Sequence, residues 1–186
     1  LPRDGHPMDW LSIGIHTLGM LGGEGDWKSD ALNLVARMPR LLGLIFRYRE
    51  GRLVNIPADD LSLGLVARFT NTLDLADVDK SVMNQVIATY LVLHMDHGGG
   101  NLSTFAGKAV ASGHATVYSS MAGAMNALSG PLHGRANQSC FEFVQKIGTS
   151  DPAEVEAFVR GELEARRPVF GFGHAVLRAE DPRATV

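Results

Sequence analysis

Four of the seven histidines, His94, His97, His133 and His174, stand beside glycines at breaks in the chain rather than inside apolar periodicity. Helix ends are places where backbone dipoles and open space tune an imidazole. His94 and His97 share a helix face at i and i+3, as a pair of metal ligands can. A zinc site needs at least a third protein ligand. Asp96 points off that face and Gly98–Gly100 offers no side chain, so no metal is expected; the plainer reading is a helix end tied to a neighbour. His133 lies in Gly130-Pro131-Leu132-His133-Gly134-Arg135-Ala136-Asn137, just ahead of a helix. The positive end of a helix dipole disfavours imidazolium, and a neutral ring can donate a hydrogen bond to a developing enol oxygen. The alternative is that His133 only caps the helix. Gly171-Phe172-Gly173-His174 is followed by Arg178 and Arg183. An imidazole beside two guanidiniums suits an anionic ligand, because arginine pairs in bidentate fashion with carboxylate or phosphate. Cys140, the single cysteine, reads as a small helical residue or as a nucleophile partnered by His133.

The elements that must position these groups are helical. The 186 residues are 45% hydrophobic and 20% charged, with 17 basic against 20 acidic residues and a formal net charge of −3. That is a chain with a true core. Its charge balance argues against broad nucleic-acid binding, and no apolar run approaches a membrane span. One cysteine excludes an intrachain disulfide and fits a reducing compartment. Both ends read as cut: the chain opens on Leu-Pro-Arg without an initiating Met and closes on Asp-Pro-Arg-Ala-Thr-Val.

Helical periodicity is expected from about Met8 to Leu21, then from a cap at Ser29 or Asp30 to Pro39, which kinks or ends it. A further run to Arg49 and a segment capped by Asp59 or Asp60 and reaching Leu73 follow. From Asp77 to His94, Val82, Val86, Ile87, Tyr90 and Leu91 recur at the spacing of one buried face. Asn101 caps a helix to Ser112, and another runs from Thr116 to Leu128; both are rich in Ala, Gly and Ser. Such small residues fit a close oligomer contact or a crowded core equally well. Helices resume through Phe141 and Val144 to Ile147, and from Asp151-Pro152 to Leu163, with Pro at the first helical position. Only 168–173 reads as a turn or short hairpin. No strand–helix alternation points to a parallel sheet; an all-α chain is predicted.

His6-Pro7-Met8, His94-x-x-His97-Gly-Gly-Gly-Asn101, the 130–137 segment and Gly171-Phe-Gly-His174-Ala-Val-Leu-Arg178-x-x-Asp181-Pro-Arg183 together resemble the citrate synthase family, in its order and at its spacing. The resemblance covers essentially the whole chain and about the middle half of such an enzyme. It implies an all-α fold with residues 1–130 from a large helical domain and 131–186 opening a small one. It implies catalytic roles for His133, which hydrogen-bonds the thioester carbonyl and stabilises its enol, and for His174, which polarises the oxaloacetate keto group. Ser103 would orient His133. His97 and Arg183 would bind oxaloacetate. Arg178 would meet a CoA phosphate, and Val169, Gly171 and Gly173 belong to the backbone loop that accepts the adenine.

The reaction so implied is condensation of acetyl-CoA with oxaloacetate to citrate and CoA, an acyltransferase step of the tricarboxylic acid cycle. It runs without cofactor or metal, in a homodimer, in the cytoplasm or, in a eukaryote, the mitochondrial matrix. The family's catalytic Asp is expected beyond the Asp-Pro-Arg motif and so outside this chain, which would leave it inactive alone; Asp181 belongs to that motif and is not the base. Gly98 and Arg135 depart from the residues usual in the family. The competing expectations are a 2-methylcitrate synthase using propionyl-CoA and a non-catalytic binding or interaction fragment, neither with nucleic acid or membrane as partner.

Overall fold

A computed structural model describes residues 2–23, 25–95, 99–173 and 178–185. Among them are eight α-helices and one 3-10 turn, with no strand, so the chain is all-α as predicted. It forms two compact units, Leu1–Ser129 and Gly130–Val186.

The first unit holds α1 (Pro7–Gly22), α2 (Trp27–Arg49), α3 (Leu65–Leu73), α4 (Lys80–His94), α5 (Leu102–Ser112) and α6 (Val117–Leu128). Short polar side chains start most of them. Asp26, Asp79, Asn101 and Thr116 each accept a first-turn amide of the helix they precede, and loss of such a cap costs about 1 kcal/mol. Two expected starts move. α2 is capped by Asp26, not by Ser29 or Asp30, and Asp30 is buried inside it. α3 begins at Leu65 after Gly64, without a side-chain cap. Asp59 and Asp60 instead serve the preceding loop, Asp59 pairing with Arg68 and Asp60 accepting from Ser62.

Pro39 neither ends nor divides α2, which runs 23 residues straight through it. A proline in a helix interior costs about 3 kcal/mol. Packing offsets this: Pro39 itself, Leu34, Gly43 and Ile45 are all buried. At Gly43 the backbone of α2 lies against α3, and a Cβ there would come within 2.5 Å of Thr72 Cγ2 and 2.7 Å of its Cβ.

The core of this unit centres on Ile15, Leu34, Tyr118 and Ala122, with Leu18, Met38 and Leu41 packed around it. Burial of each large apolar side chain contributes roughly 1.5–3 kcal/mol. The small residues of α5 and α6 bring those two helices close together. A Cβ on Gly107 would lie 3.3 Å from Ala124 Cβ, and one on Gly123 would lie 3.0 Å from Val110 Cγ2.

α4 departs from its sequence reading. None of its residues is buried; Val82 and Val86 are 55% and 62% exposed, and Tyr90 and Leu91 are nearly half exposed. The apolar stripe is present, but the described residues of the unit do not cover it.

The loop between α2 and α3 is held from inside. Arg47, 4% exposed, donates from Nε to the Arg52 carbonyl at 2.9 Å and from Nη2 to the carbonyls of Val54 at 3.1 Å and Asn55 at 3.4 Å. Its Nη1 reaches the Leu73 carbonyl at 3.4 Å. Arg40 ties the Pro57 carbonyl at 2.6 Å, and Arg68 grips Asp59 at 2.7 and 3.0 Å.

The second unit carries α7 (Ala136–Ile147), α8 (Pro152–Glu164) and the 3-10 turn Pro182–Thr185. Asp151 caps α8 and Pro152 opens it, as the sequence predicts. Phe143 is buried on α7, edge-on to Phe158 of α8 and to Phe170 of the following loop, at 5.6 and 6.2 Å between centroids.

Candidate active site

In the first unit, Asn101 does two jobs at the head of α5. Its Oδ1 accepts from the Thr104 amide at 2.8 Å, capping the helix, and from the Ser103 hydroxyl at 2.7 Å. Ser103 is half-buried, and that contact holds its hydroxyl at the helix start. His94 ends α4 with its ring stacked on Tyr90, 4.0 Å between centroids, and Nδ1 2.7 Å from the Tyr90 carbonyl oxygen. These contacts tie His94 to its own helix, where the plainer sequence reading expects a tie to a neighbour. His97 lies outside the described residues. Among the described residues no group of three or more His, Cys, Asp or Glu side chains is placed to hold a metal ion.

In the second unit, residues 130–135 form a tight turn ahead of α7, closed by His133 N donating to the Gly130 carbonyl at 3.0 Å. His133 is half-buried in this turn, and its carbonyl accepts from Ala136 N at 3.2 Å. The N-cap of α7 is Arg135, which makes no side-chain capping bond. His133 therefore stands three residues before the first helical residue, near the positive end of the dipole, and does not occupy the cap position.

The segment after α8 turns at Val169–Phe172, where the Phe172 amide meets the Val169 carbonyl at 3.4 Å. Gly171 and Gly173 both take left-handed conformations, φ 91° and 79°, which glycine adopts without steric penalty. Gly171 also packs on α7: a Cβ there would come within 3.0 Å of Cys140 Sγ. Cys140 is half-buried on α7. An apolar groove of about 660 Å³ runs along this region, lined by Phe143, Val144, Ile147, Val159, Leu163 and Phe170 among others.

His174 lies outside the described residues. Arg178 is exposed. Arg183 folds back on Asp181: its Nε lies 2.9 and 3.0 Å from the two carboxylate oxygens, and its backbone amide donates to Oδ1 at 2.9 Å. That hydrogen-bonded carboxylate raises the Arg183 pKa above its ordinary value. The geometry shows a guanidinium already matched to a carboxylate in a planar fork.

One pair escaped the sequence reading. Glu162, 6% exposed near the end of α8, accepts from Arg167 Nε at 2.7 Å and Nη2 at 2.8 Å, with Lys146 Nζ at 3.6 Å. The Arg167 hydrogen bonds hold the Glu162 carboxyl below its usual range. The signal was the acid–base pair five apart across an expected helix end, which spacing alone does not single out.

All of residues 1–186 match the family model for the citrate synthase C-terminal domain. Curated relatives include a mitochondrial 2-methylcitrate synthase of Yarrowia lipolytica, 37% identical over 97% of this chain and 42% of its own, and citrate synthase 5 of Arabidopsis thaliana, also mitochondrial, 36% identical over 98% and 43%. Among solved structures, the citrate synthase of Thermotoga maritima superposes with a TM-score of 0.79 at 30% identity, covering 100% of this chain and 48% of that one. That of Thermoplasma acidophilum, a ternary complex with carboxymethyl coenzyme A and oxaloacetate, superposes at 0.75 with 25% identity, covering 100% and 49%. The described residues are thus all-helical, in the fold of these citrate synthase structures. The chain belongs to the citrate synthase family, and it spans less than half the length of these relatives.

Proposed function

We propose that this chain is part of an enzyme that condenses a short acyl-CoA with oxaloacetate, with acetyl-CoA as the acyl donor and citrate as the product. The observation that carries the reading is that the whole chain superposes on a relative solved with oxaloacetate and a CoA analogue. His133, in the 130–135 turn before α7, hydrogen-bonds the thioester carbonyl and stabilises the enol; Ser103 orients it. His174 polarises the keto group, and His97 and Arg183 hold the keto acid's carboxylates. The fork that Arg183 offers Asp181 is the geometry such a carboxylate needs. Arg178 meets a CoA phosphate, and the backbone of Val169, Gly171 and Gly173 receives the adenine. Asp181, committed to Arg183, is unsuited to abstract the methyl proton. That base we assign to an Asp of the full-length enzyme outside these residues. Charge placement and general acid–base work by these groups carry the chemistry, without cofactor or metal.

The enzyme pairs with a second copy of itself through the exposed apolar faces of α4 and its neighbours. We place it in the cytoplasm, or in the mitochondrial matrix if its source is eukaryotic; two of its relatives are named mitochondrial. No described helix is long and apolar enough to cross a membrane.

The test is release of CoA thiol from acetyl-CoA and oxaloacetate by the full-length protein that contains this chain. Turnover is expected, with His133→Ala slowing it by about 10²–10⁴-fold. A folded full-length protein that releases no thiol from acetyl- or propionyl-CoA would leave a binding role instead. The 2-methylcitrate synthase relative favours a second reading, in which propionyl-CoA is the better donor. A higher kcat/KM on propionyl-CoA than on acetyl-CoA would establish it.

A further inference from the structure

We propose that Glu162 is a positioning residue for the acyl-CoA: by clamping Arg167 it sets the path of the 168–173 segment. The inference rests on the reading of that segment as the adenine-binding loop. It begins with how α8 ends. Ala165 closes the helix and donates to the Gly161 carbonyl; Arg166 donates to Leu163 and Arg167 to Glu162, at 3.0 and 2.8 Å. These paired bonds are the usual glycine-centred closure of a helix. Here the left-handed position is filled by Arg166, with φ 54°. A residue with a Cβ pays roughly 1–2 kcal/mol for that conformation, so something must hold the chain in it.

Glu162 does so twice. Its carbonyl takes the Arg167 amide, and its carboxylate takes both Nε and Nη2 of the Arg167 side chain, at 2.7 and 2.8 Å. One residue thereby fixes the backbone and the guanidinium of the first residue of the exit segment. Lys146 of α7 approaches the same carboxylate at 3.6 Å. Beyond the clamp, Pro168 removes a rotational freedom, Phe170 docks on Phe143, and Gly171 rests on Cys140. The turn that follows is aimed by these anchors, of which Glu162 is the one charged and buried group. Replacing it with an amide leaves Arg167 without a fork and the segment free to leave the helix along other paths.

The experiment uses the full-length enzyme with Glu162→Gln and Arg167→Lys, after wild type has been shown to turn over. The KM for acyl-CoA is expected to rise about tenfold, the equivalent of one lost hydrogen bond to a displaced loop. The kcat and the KM for oxaloacetate stay near wild type. Trypsin should nick the Arg166–Arg167 bond faster in Glu162→Gln. Arg166→Gly, which relieves the strained turn, is combined with Glu162→Gln. It should restore the thermal midpoint but not the KM for acyl-CoA. Unchanged KM for acyl-CoA, or a loss of kcat that Arg166→Gly fully repairs, reduces Glu162 to a helix staple and overturns the proposal. If wild type itself releases no thiol, the functional reading fails with it. The nicking rate then still decides whether the clamp exists.

Discussion

At the scale of single residues, motifs pointed to the candidate site but not to the contacts that support it. His133 and Arg183 were singled out because each sits in a short signature with glycine or proline beside it. Glu162 and Arg167 were not, because their meeting depends on Arg166 turning left-handed at a helix end, a conformation that points to glycine when read from sequence. Close approaches are hidden in the same way. Nothing in the sequence around Gly43 says that Thr72, 1% exposed, lies against it. Gly43→Ala would gain helix propensity, about 1 kcal/mol, but must push aside the branched side chain of Thr72, at a cost of about 1–3 kcal/mol. The clash is with the rigid Cβ as well as the methyl, so the net effect is expected to be a loss. A lowered thermal midpoint in the full-length protein checks it, and an unchanged or raised midpoint contradicts it.

Elements were read well where a single residue type governs the end. Asn101, Thr116 and Asp151 were found at the starts they cap. The reading failed where packing overrules local preference: Pro39 sits mid-helix because its neighbours are buried together, and burial is not visible in a local pattern. Asp59 shows the converse, a residue with capping chemistry used elsewhere. Hydrogen bonds from Arg68, more than the bare charge, hold its carboxyl below its ordinary pKa. A carboxylate with a depressed folded pKa contributes stability above its unfolded pKa, and loses it as pH falls through the folded value. Asp59→Asn should therefore lower stability near neutral pH by about 1 kcal/mol. As pH falls below about 4, where the unfolded carboxyl takes up its proton, and on through the lower folded value, the two proteins should converge. Thermal midpoints measured from pH 7 down to 3 would show the gap closing; a constant gap would mean the pair contributes through packing alone.

At the scale of the whole molecule, the periodic stripe on α4 was correctly read as apolar and wrongly read as covered. Period tells which residues share a face, not what lies opposite. With Val82 and Val86 more than half exposed, and Phe105 on α5 68% exposed, the first unit presents apolar surface on which the proposed pairing with a second copy can be tested. Val86→Glu should shift full-length protein toward monomer in sedimentation at micromolar concentration, while far-ultraviolet circular dichroism stays helical. A dimer that withstands the change would place the contact elsewhere. The loop between α2 and α3 has a consequence of another kind. Arg47 and Arg40 hold it largely through its own peptide oxygens, which every residue type supplies alike. Over generations, then, the side chains at Leu53 and Val54 are free to drift, while an inserted or deleted residue would put every one of those grips out of step. What descent must preserve in that stretch is its length rather than its letters.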